Sequence, residues 1–570
     1  MEKISVANYL VSLIAETGID MVAVLQGGSI MKLIDEVGQH PALTYISPNN
    51  EQALAMMVDG YAHIKGFGVG MVTSGPGAQN LATGIASAYY DSTPCMFITG
   101  QVGMFHNKGE RKVRQRGFQE SDIVGIMKPI TKYAVLLDKP EDARYVFEKA
   151  FYLAKSGRPG PVLIDLPFNV QRAMVDPSEL RGFVPEEQPA VSPDVIEKDI
   201  AGILEDLKTS VRPIFLLGGG IQLSGQAETM RLLAKKLQIP VVVTWCALDV
   251  FEVEDPLYAG TIGRAGNKSA NRAIREADVV IALGTRFATK AIISEKNFAT
   301  QAKIIAVDVD RGELEDGLVA SQVKLQYDLK ELLPQLLATA PKTDVSPRED
   351  WLKRIQELKR ERVNDNTPKG SFYLSPYEFT ETLSKLMSAD TVIVGDTGTN
   401  LCWFVQAYQP KIGQRMISSW GNSPMGYALP ASMGAKLAKK DANVVVINGD
   451  GGMQMNIQEL QTIALNNIPV KVFVLNNDCY ANVKFPAIDE FNGRFHALGR
   501  GNGYAAPDFL KIASAYGIKS FSIKKGDAIE KKIQEALDEK GPVVIDVAID
   551  PEQPAWEDLE LLSPPPSVTK

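Results

Sequence analysis

The chain has 570 residues, which at about 100–200 residues per domain predicts three or four domains. Its formal net charge of −8 argues against a nucleic-acid partner, because binding to phosphate backbones needs a basic surface. No apolar run approaches the roughly 18–20 residues that span a bilayer, and the N-terminus lacks an apolar signal core, so we expect no membrane partner and no secretion. Four widely spaced cysteines and four histidines exclude a disulfide scaffold and a multi-histidine metal site, and predict a cytoplasmic location.

Short apolar runs alternate with longer helical patterns along the chain, which is typical of parallel sheets with helical crossovers. The runs fall into three series, and we predict an α/β fold of three doubly wound parallel-sheet domains. Proline- and acid-rich residues 184–189 indicate a first connector, and charged residues 342–369 a second, partly helical one. The predicted domains are therefore 1–183, 190–340 and 371–550, followed by a C-terminal tail over 551–570.

The first series contains an acidic residue at a predicted strand-to-helix turn. The segment Ser47–Ala53 follows a strand-like run and opens a helix with an apolar face, and Glu51 lies in its first turn. An acid at this place has an ordinary explanation, because it favours the positive end of the helix dipole. The position alone leaves that explanation and a chemical role for Glu51 both open.

The second series carries glycine turns at the ends of predicted strands. Gly218–Gly220 ends one run, Gly284 another, and Asp308 a third. Such turns occur where nucleotides bind, but three glycines in a row are weak evidence for any particular nucleotide. A nucleotide-binding domain and a purely structural domain both fit this pattern.

The third series contains Asn448–Gly452, with the sequence Asn-Gly-Asp-Gly-Gly, and Asn477 follows Asp450 by 27 residues. Each of these features follows a predicted strand, and ligands bind open parallel sheets at the carboxyl ends of their strands. The glycines allow backbone N–H groups to approach phosphate, while carboxylate and amide oxygens suit Mg²⁺. A plain strand–helix turn would explain the glycines, but not the asparagine on the next strand at this spacing.

This pairing resembles the cofactor motif of the thiamine-diphosphate-dependent enzymes. The resemblance implies that Asp450, Asn477 and the backbone carbonyl of Cys479 bind Mg²⁺, and that the third domain is the diphosphate-binding one. It also implies a second set of residues that hold the diphosphate, in which Thr399 and Asn400 replace the Gln and His usual in acetolactate synthases: Thr399, Asn400, Gly449, Gly451 and Gly452.

The first domain resembles the pyrimidine-binding domain of acetolactate synthase large chains, through motifs that include Thr73–Asn80, Asp91–Pro94, Gly117–Glu120 and Ser156–Val162. By this resemblance Glu51 is the glutamate that activates the cofactor through its aminopyrimidine ring. The carbonyl of Ser423 accepts from that ring, and Met425 wedges the cofactor into a bent shape. The resemblance further implies that three residues line the space above the thiazolium: Gly28, Gln119 and Lys132.

The same resemblance favours carbon–carbon bond formation. Simple 2-oxo acid decarboxylases carry a His-His pair and a late glutamate as proton donors, whereas this chain has no such pair and has Val483 at the late position. We therefore expect a lyase or transferase that decarboxylates pyruvate and joins the fragment to a carbonyl acceptor, as acetolactate synthase does. The acceptor-selecting positions, Asn482, Lys484 and Phe485, differ from those usual in acetolactate synthases.

Two alternatives remain open from the sequence. About ten extra residues around 109–116, rich in Lys and Arg, resemble relatives in surface-sugar biosynthesis that transfer a two-carbon unit to a keto-sugar. A simple decarboxylase or a non-catalytic cofactor-binding protein is the second alternative.

The resemblance also bears on FAD and on assembly. Acetolactate synthases bind FAD in the central domain, and Gly284–Phe287 matches their pattern, although Ala288–Lys290 does not. The sequence therefore leaves both an FAD-binding and a flavin-free central domain open.

Because the cofactor of this family spans two chains, the resemblance implies a homodimer or homotetramer.

Overall fold

A computed structural model describes residues 3–186, 192–292, 294–341, 348–360 and 372–555. It contains three six-stranded parallel sheets, each flanked by helices, and a short antiparallel pair of strands. The predicted α/β class with three doubly wound parallel-sheet domains is confirmed. No helix in these described ranges is both long and apolar enough to cross a membrane.

The first sheet has the strand order β3-β2-β4-β5-β7-β6, and β1 pairs with β8 beside it. The strands of this sheet are β2 (Met21–Val24), β3 (Thr44–Ile46), β4 (Gly68–Val72), β5 (Cys95–Gln101), β6 (Tyr133–Leu136) and β7 (Val162–Pro167), and the separate pair consists of β1 (Ile4–Ser5) and β8 (Met174–Val175). The helices of this part are α1 (Val6–Glu16), α2 (Met31–Gln39), α3 (Glu51–Lys65), α4 (Pro76–Asn80), α5 (Ala82–Tyr90), α6 (Ile123–Met127), α7 (Ala143–Lys155) and α8 (Phe168–Gln171).

The central sheet has the order β11-β10-β9-β12-β13-β14, the order of the dinucleotide-binding folds. Its strands are β9 (Pro213–Leu217), β10 (Val241–Val243), β11 (Tyr258–Thr261), β12 (Val279–Leu283), β13 (Lys303–Asp308) and β14 (Val323–Gln326). Its helices are α9 (Pro193–Thr209), α10 (Gly220–Leu223), α11 (Ala227–Leu237), α12 (Lys268–Glu276), α13 (Arg311–Asp316), α14 (Leu329–Thr339) and α15 (Glu349–Lys359).

The third sheet has the order β16-β15-β17-β18-β20-β19, which repeats the pattern of the first sheet. Its strands are β15 (Val392–Gly395), β16 (Arg415–Ile417), β17 (Val444–Gly449), β18 (Val470–Asn476), β19 (Lys519–Ile523) and β20 (Val543–Ala548). Its helices are α16 (Pro376–Leu386), α17 (Thr399–Ala407), α18 (Ala428–Ala438), α19 (Asp450–Met455), α20 (Glu459–Leu465), α21 (Ala481–Glu490), α22 (Phe509–Ala515) and α23 (Ile529–Asp538).

The first and third sheets share one hydrophobic core, because α3 packs directly against α18. Two glycines allow this close approach. A methyl group on Gly60 would overlap the backbone of Ala431, and one on Gly434 would overlap the carbonyl oxygen of Met57. The helix that begins at Glu51 is therefore held against the third domain of its own chain.

The predicted strands agree with the structure to within a few residues, since continuous Val- and Ile-rich runs form the buried centres of all three sheets. Helix α15 confirms that the second connector is partly helical. Residues 187–189 of the first connector, 342–347 and 361–369 of the second, and 556–570 of the predicted tail lie outside the described residues. The domain boundaries themselves stay predictions.

Candidate active site

Glu51 lies at the carboxyl edge of the first sheet, where α3 begins after β3. The Asn50 side chain caps α3 by accepting from the Gln52 N–H at 2.8 Å, so the helix starts at Glu51. The Glu51 carboxylate is half-buried and accepts from Asn80 Nδ2 at 2.9 Å. This bond fixes one carboxylate oxygen.

Gly27 and Gly28 follow β2 at the same edge. A side chain on Gly27 would overlap Thr73, whereas the Cβ position of Gly28 has no heavy atom within 4 Å. Gly28 therefore borders open space at this edge, and its place above the thiazolium stays a prediction. Gly27, which the sequence analysis did not single out, is the position where packing requires glycine.

Gln119 joins this edge on the loop after β5. Its backbone has φ +62°, and its carbonyl oxygen lies 2.8 Å from the Cβ position that Gly75 lacks. Glu120 holds the loop in place, since its carboxylate accepts from the N–H groups of Arg116 at 2.8 Å and Gly117 at 3.1 Å. Three backbone donors lower the pKa of Glu120 against the opposing effect of its burial.

The structure does not bring Lys132 to this edge. Lys132 precedes β6, which runs parallel to β7, so it lies at the amino edge of the sheet, opposite Gly28 and Gln119. Its ammonium group donates to the Ser156 carbonyl at 2.6 Å, and burial lowers its pKa to about 8. The prediction that Lys132 lines the same space is therefore corrected, because a residue before a strand and a residue after one lie a strand's length apart.

The glycine turn of the third domain joins β17 to α19. Asp450 Oδ1 accepts from the Gly451 N–H at 2.6 Å and from the Tyr504 hydroxyl at 3.0 Å. Its other oxygen, Oδ2, is buried and has no hydrogen-bond partner in the described part of the chain. Burial raises the pKa of Asp450 to about 6. A buried carboxylate oxygen without a donor is suited to a cation.

Asn477 and Cys479 follow β18 next to this turn. Asn477 Nδ2 donates to Cys479 Sγ at 3.3 Å, so the amide nitrogen is used and its oxygen is left for another ligand. Asp478 has φ +52°, which turns the chain sharply before Cys479. A carboxylate, an amide and a backbone carbonyl form the all-oxygen donor set that Mg²⁺ prefers, and these residues therefore fit the ion.

Thr399 and Asn400 lie on the preceding turn, after β15. Asn400 Nδ2 donates to the Asp396 carbonyl at 3.0 Å. Thr399 Oγ1 is buried and lacks a hydrogen-bond partner among the residues described, and so does Asn448 Oδ1. Asn448 was not among the predicted site residues. The Cβ position of Gly452 lies 2.6 Å from Asn448 Oδ1, so only glycine fits this turn. These polar atoms and glycines fit a bound diphosphate.

Ser423 and Met425 lie between β16 and α18. Ser423 has φ +53°, and its hydroxyl lies 2.6 Å from Thr397 Oγ1. The Met425 methyl group is 2.9 Å from the Cβ position of Gly451, so the structure brings Met425 beside the glycine turn.

Asp396 holds the end of this segment. Its carboxylate accepts from the Gly426 N–H at 3.1 Å and the Ala428 N–H at 2.9 Å, and burial raises its pKa to about 7. Asp396 was not predicted to have this task. Its signal was present, because Gly395-Asp396 follows β15 as Gly449-Asp450 follows β17.

The two edges also touch within one chain. The Asn49 N–H donates to the Glu459 carboxylate at 3.1 Å, and Asn49 Nδ2 donates to the Gln458 carbonyl at 3.0 Å. Asn456 Nδ2 donates to the Gly426 carbonyl at 2.8 Å. Asn49, Asn456 and Glu459 are positioning groups that sequence reasoning missed, because only the fold brings them to this junction.

The positions that the resemblance assigns to acceptor selection lie on α21. Val483, on the same helix, is 54% exposed and reaches solvent. Lys484 is buried, and its ammonium group donates to the Pro551 carbonyl at 2.9 Å and to Glu552. Lys484 therefore holds the C-terminal segment.

A cavity of about 500 Å³ lies between the central sheet and the other two domains. The glycine turns 218–220 and 284 line it, together with Asp308 and Trp420. Burial raises the pKa of Asp308 to about 6. Arg158, from the first domain, lines the cavity and pairs with Asp310 at 3.0 Å and Glu313 at 2.6 Å.

Comparison with known proteins identifies the family. The family models of the thiamine pyrophosphate enzymes match this chain in three places: the N-terminal TPP-binding domain over 4–126, the central domain over 200–336 and the C-terminal TPP-binding domain over 396–547. The chain belongs to the family of thiamine pyrophosphate enzymes. Thiamine diphosphate, the same compound, is accordingly its cofactor.

Within that family the chain is similar to acetolactate synthase large subunits. It is 34% identical over 558 residues to the probable acetolactate synthase large subunit of Methanocaldococcus jannaschii, covering 96% of this chain and 92% of that protein. It is 34% identical over 557 residues to acetolactate synthase isozyme 1 large subunit of Escherichia coli, covering 96% and 95%. The Lactococcus lactis large subunit is 33% identical over 542 residues, covering 94% and 90%. The chain is therefore an acetolactate synthase-like, thiamine-diphosphate-dependent enzyme.

Proposed function

We propose that this enzyme decarboxylates pyruvate and joins the two-carbon fragment to a second 2-oxo acid, giving acetolactate. The names of its relatives support the reaction. The observation that carries the proposal is the half-buried Glu51 carboxylate, fixed by Asn80 at an edge that Gly28 leaves open. The keto-sugar, simple-decarboxylase and non-catalytic alternatives gain no support from the relatives named above.

The third domain holds the cofactor in this proposal. The unpartnered oxygen of Asp450, the amide oxygen of Asn477 and the Cys479 carbonyl would hold Mg²⁺. The diphosphate would be held by the glycine turn and the polar groups around it, which are Thr399, Asn400, Gly449, Gly451 and Gly452. Met425 and the Ser423 carbonyl would set the shape and orientation of the rings.

Bound thiamine diphosphate supplies a carbon nucleophile and accepts the electron pair left by loss of CO₂. The Glu51 carboxyl group would exchange a proton with the cofactor's pyrimidine ring, and Asn80 orients that group. Gly28 and Gln119 border the space for the reacting carbonyl groups. Val483 cannot donate a proton, whereas decarboxylases carry an acid at this position. The two-carbon fragment would therefore add to a carbonyl acceptor instead of being protonated.

We also propose a cytoplasmic homodimer or larger homo-oligomer. Large apolar side chains are exposed around both halves of the site, with Tyr45 at 53%, Phe118 at 86% and Leu465 at 75% exposure. Apolar groups of this size gather at protein–protein interfaces. A second chain that covers them brings its third-domain edge to Glu51 of the first chain.

For the central cavity we propose FAD. The strand order of the central sheet, the glycine turns 218–220 and 284, and Asp308 at a strand end support a dinucleotide. A flavin absorption spectrum of the purified protein, after removal of free flavin, tests this assignment. A colourless protein that stays unchanged after incubation with FAD would exclude it.

The reaction is tested with purified protein, thiamine diphosphate, Mg²⁺ and pyruvate, followed by mass spectrometry of the products. Acetolactate and CO₂ in equal amounts are expected. Acetaldehyde as the sole organic product would contradict the argument from Val483. Adding a keto-sugar beside pyruvate distinguishes that acceptor directly.

A further inference from the structure

The wedge segment, residues 418–427, joins β16 to α18 and carries Ser423 and Met425. Asp396 holds its end through two backbone N–H groups. Asp91, which follows α5 in the first domain, holds its beginning in the same way. Asp91 Oδ2 accepts from the Trp420 N–H at 2.6 Å, and Oδ1 accepts from the Gly421 N–H at 2.8 Å.

The first domain approaches this segment closely. The Cβ position that Gly421 lacks lies 2.7 Å from Tyr90 Cβ and 2.8 Å from Arg286 Nη2, so a larger residue would push the segment away. Asn422 Nδ2 donates to the Thr83 carbonyl at 3.2 Å and makes a second, weaker anchor. The hydrogen bonds of Asp91 and Asn422 hold the segment immediately before Ser423. The backbone of Ser423 has φ +53°, a conformation that residues other than glycine rarely adopt.

We infer that Asp91 is a positioning residue, whose two hydrogen bonds to the Trp420 and Gly421 N–H groups keep Ser423 and Met425 in the conformation that binds the cofactor. This inference rests on the roles of Ser423 and Met425 in the proposed function. Hydrogen bonds to an ionised carboxylate are stronger than those between neutral groups, and two of them fix a backbone in both position and direction. With both ends held by carboxylates, the wedge segment is ready before the cofactor arrives.

The geometry of the two hydrogen bonds, and not a full negative charge, supports this task. Burial and the nearby Asp59 raise the pKa of Asp91 to about 7, so the carboxyl group is partly protonated at neutral pH, while the Gly421 N–H, Arg286 and the Trp420 N–H favour its ionised form. The backbone N–H groups of the wedge segment offset part of the desolvation penalty.

The test compares Asp91→Asn with Asp278→Asn as a matched control. Asp278 also accepts from two backbone N–H groups, Val211 at 3.0 Å and Arg212 at 3.1 Å, but in the central domain at the amino edge of its sheet. An asparagine has one acceptor oxygen, so Asp91→Asn leaves either the Trp420 or the Gly421 N–H group without its partner. In Asp278→Asn an oxygen in the Oδ2 place can still accept from both N–H groups, because the Arg212 N–H contacts both carboxylate oxygens, so this control removes a carboxylate charge without freeing a backbone donor. Binding of thiamine diphosphate with Mg²⁺ is measured by calorimetry, and turnover of pyruvate at saturating cofactor.

Because apparent affinity falls with the fraction of molecules in the binding-competent conformation, Asp91→Asn should raise the Kd about tenfold. Turnover at saturating cofactor should stay within about threefold of wild type, since bound cofactor selects the competent conformation. Asp278→Asn should leave the Kd unchanged. A Kd of Asp91→Asn within about twofold of wild type, or an equal rise in both variants, would overturn the inference.

If Asp91→Asn fails to fold, Asn422→Ala is tested instead. This variant removes the weaker hydrogen bond to the Thr83 carbonyl from a partly buried position. Its Kd should rise about threefold, and an unchanged Kd would overturn the inference. The outcome is separable from the proposed function. A wild-type enzyme that binds the cofactor but makes no acetolactate would contradict the reaction, while the comparison of Kd values would still decide the role of Asp91.

Discussion

The first and third sheets have the same strand order but present different chemistry at their carboxyl edges. The first edge carries Glu51 and also Gly28, whose Cβ position borders open space. At the third edge, Asp450, Asn448 and Thr399 carry buried oxygens without protein partners in the described residues. Topology therefore determines where the two edges lie, and in the proposed function the turn residues assign a proton to one edge and a metal–diphosphate group to the other.

The largest effect should follow from removing the metal ligand of the third edge. Asp450→Ala deletes the only carboxylate in the proposed Mg²⁺ set, so binding of thiamine diphosphate with Mg²⁺ should weaken at least about 100-fold. Calorimetry measures this, with Asp538→Ala on the exposed end of α23 as the control. Cofactor binding by Asp450→Ala within tenfold of wild type would show that the metal lies elsewhere.

Glu51→Gln should separate the two edges functionally. Turnover should fall by about 100- to 10,000-fold because the amide cannot exchange a proton, while cofactor binding at the third edge persists. Glu349→Gln, another acid in the first turn of a helix, should leave turnover unchanged. Equal turnover of Glu51→Gln and wild type would remove the chemical difference between the edges and leave Glu51 as an ordinary helix-start acid.

The contact between the two halves should be sensitive to a single methyl group. Gly434→Ala places a Cβ against the Met57 carbonyl and should destabilise the protein by about 1–3 kcal/mol. Gly202→Ala is the control, because Gly202 lies in α9 and has open space around its Cβ position. This variant should stabilise the protein by about 0.5–1 kcal/mol. Denaturant unfolding measures both. Equal free energies of unfolding for the two variants would contradict the prediction, because they would show that the close contact of α3 and α18 does not contribute to stability.

The smallest effect is expected at the amino edge of the first sheet. Lys132→Met should cost about 1 kcal/mol of stability through the lost bond to the Ser156 carbonyl. Turnover should stay within about twofold, because no reacting group lies near that edge. A loss of turnover far larger than the loss of folded protein would return Lys132 to the catalytic set.

Much of this molecule could be predicted from its sequence, because buried parallel strands and glycine turns are local patterns. The turn at Asp450 and the helix start at Glu51 lie at strand ends, where the pattern places them. Asp396 was missed because its task depends on backbone N–H groups of a segment distant in sequence. Asn448 was missed because the burial of its unpartnered oxygen is visible only in the fold. Lys132 was misplaced because a family resemblance gives a residue's neighbours in sequence, whereas the edge it occupies follows from the direction of β6.

The close contact of α3 and α18 at Gly60 and Gly434 limits how domains of this enzyme could be exchanged with those of relatives. Chimeras that take the first domain from one relative and the third from another would have to match two helix surfaces at backbone distance, with no side-chain layer to absorb a mismatch. The central domain has its own strand order and one apolar cluster of its own, but a second cluster joins it to the third domain, so a cut there also divides a hydrophobic core. Swapping α3 and α18 as a pair is accordingly the smallest exchange that respects the architecture.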